Sequence, residues 1–371
     1  MVKLFDPLKI GPLELENRIL VAPMCQYSAD QGSATDWHMI HLGNLALSGA
    51  GLLITEATAV SPEGRISPDD LGLYSDANEA ALARVLAAIR KYSRIPVATQ
   101  LAHAGRKGSS ESPWNGGRQI APDAPRGYQT VAPSAISHAA GEHAPLALDE
   151  AGLARVRDCF AAAAVRAARI GFDGIEIHMA HGYLLHQFLS PIANRRTDAY
   201  GGSLLNRMRF PLEVFDVVRL AFPADRPVWV RISATDWVED GWDINGSTAL
   251  AKALEARGAA ALHVSAGGVS PKQKIPSGPG YQVPLAERIK AATGVPTIAV
   301  GLITEAEQAE AVIASGKADA VALARAMLYD PRWPWHAAAK LGAQVSAPPQ
   351  YWRCQPSGLK DLFLGSSHGQ R

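Results

Sequence analysis

The chain is poor in cysteine, and its three thiols, Cys25, Cys159 and Cys354, stand far apart. That spacing excludes a disulfide framework and a C-x-x-C metal knuckle. It also lacks an excess of either charge: 36 basic against 35 acidic side chains leave a formal net charge of +1. A nucleic-acid surface normally carries a basic surplus, so no nucleic-acid partner is expected. No apolar run reaches the roughly 18 to 20 residues that span a bilayer, and no membrane partner is expected either. The opening MVKLFDPLKIG has neither the apolar stretch nor the small-residue cleavage site of a secretory signal. The expectation is a soluble protein of a reducing compartment, the cytoplasm.

Missing motifs narrow the chemistry further. The first strand candidate runs into APMCQYS without a glycine, which argues against the G-x-G-x-x-G turn of a doubly wound dinucleotide-binding sheet. There is no G-x-S-x-G nucleophile elbow. No H-x-H or H-E-x-x-H supplies metal ligands, and His178-x-x-His181 alone is short of a third ligand.

What is present is strict alternation. Near-continuously apolar runs at 18–24, 52–60, 96–104, 174–180, 227–233, 261–267, 296–302 and 320–326 alternate with segments of helical period. Such runs suit strands covered on both faces of a parallel sheet. A helix is expected between Asp149 as cap and Gly171 as stop. Another is expected in 206–222, starting near Met208 to Phe210 so that Pro211 falls in the first turn. Eight strands alternating with helices predict an α/β fold, a (β/α)8 TIM barrel. Residues 4–17 read as an N-terminal hairpin turning at Gly11 and Pro12. Residues 105–148, rich in Gly, Pro and Ser, follow the third strand and read as a long segment capping the barrel mouth. With no repeat, low-complexity tract or linker, 1–371 is expected to be one domain.

In this fold, chemistry sits where strands end. The eight tips are PMCQY, EATAV, QLAHAGRK, HMAHGY, RIS, SAGG, GLIT and ARAM, and only Glu56 and Glu176 are acids within the strands. After strands seven and eight, Gly301, Thr304 as a helix cap with Glu307 three residues on, and Arg325 together favour a phosphate site. Arg231 on the fifth strand needs a partner, either Glu176 next door or an anionic ligand. Gln100 needs hydrogen-bond partners, from backbone or from a flat heterocycle. A thiol such as Cys25 is more often buried and inert than reactive.

The stretch IEIHMAHGYLLHQFLSP (175–191) gathers His178, His181, Tyr183 and His186 at one strand end. Two imidazole N–H groups converging on one oxygen would stabilise charge there, and a tyrosine two residues on could deliver a proton. With no base, nucleophile or metal beside them, such groups need a cofactor to carry the hard step.

Taken in order, APMCQYSADQG, EATAVSPEGRISP, QLAHAGRK, EIHMAHGYLLHQFLSPIANRRTDAYGGSLLNR, VRIS and AVGLIT span nearly the whole chain. Together they resemble the Old Yellow Enzyme family of FMN-dependent ene-reductases, most of all its YqjM-like (thermophilic-like) class. The resemblance implies non-covalent FMN in the barrel mouth, lined by Ala22, Pro23, Met24 and Cys25, with Cys25 tuning its potential. Ala57 and Gln100 would meet its polar edge, Arg231 its N1 and O2, and Gly301, Ala324 and Arg325 its phosphate. Ala324 stands where members of the class often have glycine. His178 and His181 would bind the carbonyl oxygen of an activated alkene, Tyr183 would protonate it, and Tyr27 would shape the pocket.

The implied reaction is ping-pong. NADPH or NADH gives hydride to the flavin and leaves; the small-molecule alkene then takes hydride at Cβ and a proton at Cα. The tail 343–371 resembles the segment that reaches a neighbouring subunit, with Arg353 entering its site, which implies a homodimer or homotetramer. An iron–sulfur dienoyl-CoA reductase would need four clustered cysteines. A sugar-phosphate aldolase would need a lysine or carboxylate base at a strand end.

Overall fold

Eight short, wholly buried strands close into a parallel barrel in the computed structural model, which describes residues 2–366. A hairpin precedes them: β1 (Leu8–Ile10) and β2 (Leu13–Leu15) pair antiparallel, and Gly11 turns the chain at φ +57°. The first barrel strands are β3 (Ile19–Val21), β4 (Leu52–Ala59) and β5 (Val97–Ala102). A two-stranded pair follows, β6 (Val131–Ala132) with β7 (Leu146–Ala147). The barrel resumes with β8 (Gly174–Met179), β9 (Val228–Ser233), β10 (Leu262–Ser265), β11 (Thr297–Ala299) and β12 (Ala320–Leu323), which pairs with β3 to close the ring. The sequence overestimated strand length because the apolar runs continue into the loops at the mouth.

Helices cover the outside: α1 (Asp36–Ala46), α2 (Asp76–Arg90), α3 (Glu150–Ile170), the short α4 (Leu184–Leu189) and α5 (Leu204–Ala221). After them come α6 (Ile244–Glu255), α7 (Val283–Lys290), α8 (Ala306–Ala314), α9 (Arg325–Tyr329) and α10 (Trp333–Leu341). As expected, Asp149 caps α3 by accepting from Gly152 N–H, and left-handed Gly171 ends it.

Strand periodicity divides the core in two. On β9, Val228, Val230 and Ile232 pack toward the helices, whereas Trp229 joins the barrel interior with Leu20, Leu52, Ile54, Ala98, Ala261, Ile298 and Ala320. Ile10 and Leu15 of the hairpin belong to that interior cluster and close the barrel floor. Burying each such side chain contributes about 1.5–3 kcal/mol. Arg231, two residues beyond Trp229, therefore points along the axis toward the mouth.

Two expectations about helix starts fail. α5 begins at Leu204, not near Met208, because Ser203 caps it by accepting from Asn206 N–H; Pro211 lies inside the helix. Burial of Met208, Phe210, Leu212, Val214, Phe215 and Val218 on its packed face outweighs the missing proline donor. Thr304 does not cap α8, whose preceding residue is Glu305 with no side-chain cap. Instead Thr304 N–H donates to Gln308 Oε1, its carbonyl accepts from Trp333 Nε1, and Glu307 pairs with Lys340.

The capping segment is pinned over the mouth. Arg106 donates to the carbonyls of Ile136, Ser137 and Val269, and Trp114 meets Tyr27 edge-on with centroids 5.6 Å apart.

Candidate active site

The barrel interior turns from apolar to polar one layer above Trp229. Neighbouring strands place Gln100 beside Glu176, Glu176 beside Trp229, His178 beside Arg231, and Arg231 beside His263. Glu176 is the hub of this layer. Its Oε1 accepts from Gln100 Nε2 at 2.6 Å; its Oε2 accepts from Trp229 Nε1 at 2.7 Å and lies 2.8 Å from His263 Nδ1. Burial pushes this carboxyl up, but His263, Arg231 and the Trp229 indole outweigh it and hold it at about 2.

Arg231 is left over. It is buried at 7% exposure, makes no hydrogen bond to protein among the described residues, and its Nε is wholly enclosed without a partner. The alternative that Glu176 satisfies it by hydrogen bonding is therefore overturned. A buried guanidinium without protein acceptors is a site for an anion.

Beside it, at the end of β8, stand the predicted histidines. His178 is enclosed in protein, and its Nδ1 accepts from Ala180 N–H at 3.2 Å, which leaves Nε2 with a proton to donate. His181 Nε2 lies 2.7 Å from Ser265 Oγ, which itself donates to Gln282 Oε1, so Nδ1 is the nitrogen left for a ligand. The His178 ring sits 5.0 Å from both the His181 and Tyr183 rings, edge to face in each case. Burial, and then Arg231, holds both imidazoles well below the usual range, so they act as neutral groups at pH 7. Burial likewise raises Tyr183 well above the ordinary phenol value, followed by the nearby Cys25 and Tyr27. A phenol in that state keeps its proton until a stronger base forms beside it.

The loop after β3 carries Ala22, Pro23, Met24, Cys25 and Tyr27. Ala22 N–H donates to Leu323 O, and Glu56 Oε2 accepts from Gln26 N–H at 2.8 Å, fixing the residue after Cys25. Glu56 is itself held by His38 at 3.1 Å. Burial, then Asp70 and Glu56, pushes the Cys25 thiol well up, so it is a protonated thiol and not a thiolate. A break in the β4 register between Ile54 and Ala57 brings Ala57 opposite Gln100.

On the far rim, Gly301 adopts φ +116°, and a Cβ there would stand 2.4 Å from Gln282 Nε2. Ala324 and Arg325 follow β12, with Arg325 opening α9. The strand ends thus present an anion-seeking arginine on the axis, a left-handed glycine at 301 and an exposed cation after β12. These residues fit FMN.

Arg353 is not brought to this site. The tail lays Trp352 in a cleft with Gly51 and Pro96, which precede β4 and β5 and so mark the floor end of the barrel, and Arg353 itself is exposed. Residues 367–371 of the predicted interface tail lie outside the described residues. Sequence reasoning assigned no role to Lys107, which donates from Nζ to the carbonyls of His181 (2.8 Å) and Gly268 (3.0 Å) and lies 5.0 Å over the Tyr183 ring. The GRK following QLAHA was its only signal. His186 and Asp236 were likewise left without a role.

Comparison with known proteins agrees with this geometry. Residues 3–344 match the NADH:flavin oxidoreductase / NADH oxidase family. The chain is 43% identical over 352 residues to an NADPH dehydrogenase of Geobacillus thermodenitrificans, covering 94% of this chain and 98% of that one. It is 43% identical over 360 residues to NADH:flavin oxidoreductase FG08077 of Gibberella zeae, covering 92% and 87%. Among solved structures it is similar to morphinone reductase in complex with tetrahydroNAD, with TM-score 0.75, 31% identity and 99% of both chains covered. The orphan arginine, the paired neutral imidazoles and the matched length place this FMN- and NAD(P)H-using oxidoreductase in the NADH:flavin oxidoreductase family, that of Old Yellow Enzyme.

Proposed function

We propose that the protein is an ene-reductase that reduces the activated C=C bond of α,β-unsaturated carbonyl compounds such as enones, enals and maleimides. Arg231 carries the reading, because a buried guanidinium with no hydrogen-bond acceptor among the described residues lies at the mouth in register with His178, one of two neutral imidazoles there. FMN, when bound, supplies hydride transfer between NAD(P)H and the substrate.

The chain's own residues do the rest. Arg231 offsets negative charge on the reduced ring system. His178 Nε2 donates to the substrate carbonyl oxygen, and His181 Nδ1 donates beside it once Ser265 Oγ turns its hydrogen from Gln282 to Nε2 and leaves the ring proton on Nδ1, so that both draw charge away from Cβ. Tyr183 holds its proton at the phenol oxygen and releases it to Cα, a transfer worth typically 10²–10⁴-fold. Cys25 keeps a protonated thiol, which would stand at the ring edge of bound FMN. Tyr27, supported by Trp114, narrows the entrance, and residues 105–148 limit water access from above. Two substrates taking the same place at the mouth in turn would give a ping-pong order.

We further propose a cytoplasmic protein, a single domain over 1–371, and a homodimer or homotetramer in which Arg353 serves a neighbouring subunit. The exposure of Arg353 at the floor end supports that last point, since it stands away from its own His178. No helix among the described residues is long and apolar enough to cross a membrane.

Stopped-flow mixing tests the whole reading. Purified protein carrying FMN should bleach with NADPH or NADH and recolour with a small enone under anaerobic conditions. A preparation that cannot be loaded with FMN, or whose reduced form is indifferent to every enone, would refute it.

A further inference from the structure

The His181–Gly182–Tyr183 turn is an unusual piece of backbone. His181 and Gly182 both adopt left-handed φ, +59° and +73°, and a non-glycine residue is rarely stable there. The turn packs backbone to backbone on the loop after β10: a Cβ on Gly182 would lie 2.1 Å from Gly268 O. Such strain persists only where the surroundings over-determine it.

They do so at nearly every polar backbone atom. His181 N–H donates to Ser233 Oγ at 2.9 Å, and Lys107 holds the His181 carbonyl. Gln187 Nε2 donates to the Gly182 carbonyl at 2.7 Å, and Tyr183 N–H donates to Ala180 O at 3.2 Å. The Gly182 N–H would remain, and it donates to His186 Nδ1 at 2.8 Å. His186 Nε2 in turn lies 2.9 Å from Asp236 Oδ1. Asp236 Oδ2 accepts from Ser190 Oγ at 2.6 Å and from Trp242 N–H at 2.7 Å, and both His186 and Asp236 are fully buried.

This arrangement fixes the imidazole chemically. Because Gly182 N–H donates to it, Nδ1 must carry a lone pair, and the ring proton sits on Nε2, facing a carboxylate. Asp236 is anchored by the loop after β9 and by the end of α4. It therefore orients a ring whose side-chain hydrogen bond to backbone, among the described residues, goes to the turn that separates His181 from Tyr183.

We propose that His186, oriented by Asp236, is a positioning residue that locks the left-handed turn and so sets the placement of His181 and Tyr183 relative to His178. It touches neither substrate nor cofactor. The inference rests on the ene-reductase reading for its effect on turnover, but not for its effect on ligand geometry.

Three substitutions in the FMN-loaded enzyme separate the two contacts. His186→Asn keeps an acceptor near Gly182 N–H without reaching Asp236. His186→Gln keeps a polar group in reach of Asp236 and places no acceptor at the Nδ1 position. His186→Leu keeps neither. One readout is the change in flavin absorbance on titration with a para-substituted phenol, which needs the histidine pair but no turnover. The other is the rate at which reduced enzyme consumes an enone. His186→Leu and His186→Gln should weaken phenol binding and slow enone reduction by about tenfold, the scale expected of one buried donor left unsatisfied. His186→Asn should recover most of both, with FMN content unchanged throughout. Unaltered behaviour in His186→Leu, or equal losses in all three that merely follow the melting temperature, would overturn the proposal. If His186→Leu does not fold, Asn against Gln decides alone. A wild-type enzyme that reduces no enone defeats the ene-reductase reading yet leaves the phenol titration as a test of the turn.

Discussion

Gln100 Nε2 donates to Glu176 Oε1 at 2.6 Å, and this contact determines what Arg231 can do. Oε2 is taken by Trp229 and His263, and the carboxylate so held makes no hydrogen bond to the Arg231 guanidinium. Arg231 is thus kept near a charge but, among the described residues, without a hydrogen bond, which suits an anion from outside the chain.

Arg231→Met should weaken FMN retention and lower the midpoint potential of whatever flavin remains bound. In its proposed role the arginine would favour the reduced, anionic ring over the neutral oxidised one, and a tenfold selective loss corresponds to about 30 mV for a two-electron couple. Potentiometric titration of reconstituted variant and parent provides the check. An unchanged potential would remove Arg231 from the ring.

Tyr183→Phe removes the proton while keeping the ring that packs on His178 at 5.0 Å. Enone reduction by the reduced enzyme should slow about 10²-fold or more, with flavin reduction by NADPH changed far less. Separate stopped-flow measurement of the two half-reactions checks this. Equal slowing of both would deny Tyr183 its role as acid.

The tail makes a different kind of prediction. Arg353→Ala should raise KM for enones without loss of FMN or melting temperature, because Arg353 is exposed in its own chain. Sedimentation of the parent should show at least a dimer. A fully active monomer would contradict the proposed exchange of arginines.

Stability should depend on acid through buried imidazoles. Burial lowers His41, His103 and His138 from an ordinary 6.5 to about 4, reinforced by His38 at His41 and by Lys107 and Arg106 at His138, and opposed by Glu63 at His103. Such rings stay neutral in the fold while the unfolded chain takes up protons. Stability should therefore fall as pH drops below about 6.5, and this contribution should stop growing near 4. Urea midpoints at pH 7.5 and 5 measure it, and His103→Gln should flatten the slope. A midpoint indifferent to pH over that interval would count against these assignments.

Much of this was legible beforehand. Alternating apolar runs foretold the barrel, because strands buried on both faces need no polar side, and the hairpin at Gly11 announced itself by its turn residues. The strand-end list located His178, His181, Tyr183, Arg231 and Gln100, since side chains at a barrel mouth converge regardless of their distance in sequence. What escaped was set by tertiary contacts. Pro211 sits in mid-helix because packing of Phe210 and Val214 overrode its preference. The specific Tyr-Gly-Gly-Ser-x-x-Asn-Arg stretch proved to be a clasp and not part of the site: Ser203 caps α5, Asn206 holds Gly201 O, and Arg207 Nε holds Leu189 O. Asp236 lies 50 residues from His186, and no spacing rule links them.

The hairpin residues Ile10 and Leu15 leave the toroid with one door. On the proposed ping-pong order, what reacts inside would have to exit by the route it entered, and a spent nicotinamide would stand in the way of the next visitor. Crowding by either substrate should then be self-defeating, and an excess of one should jam the turn of the other.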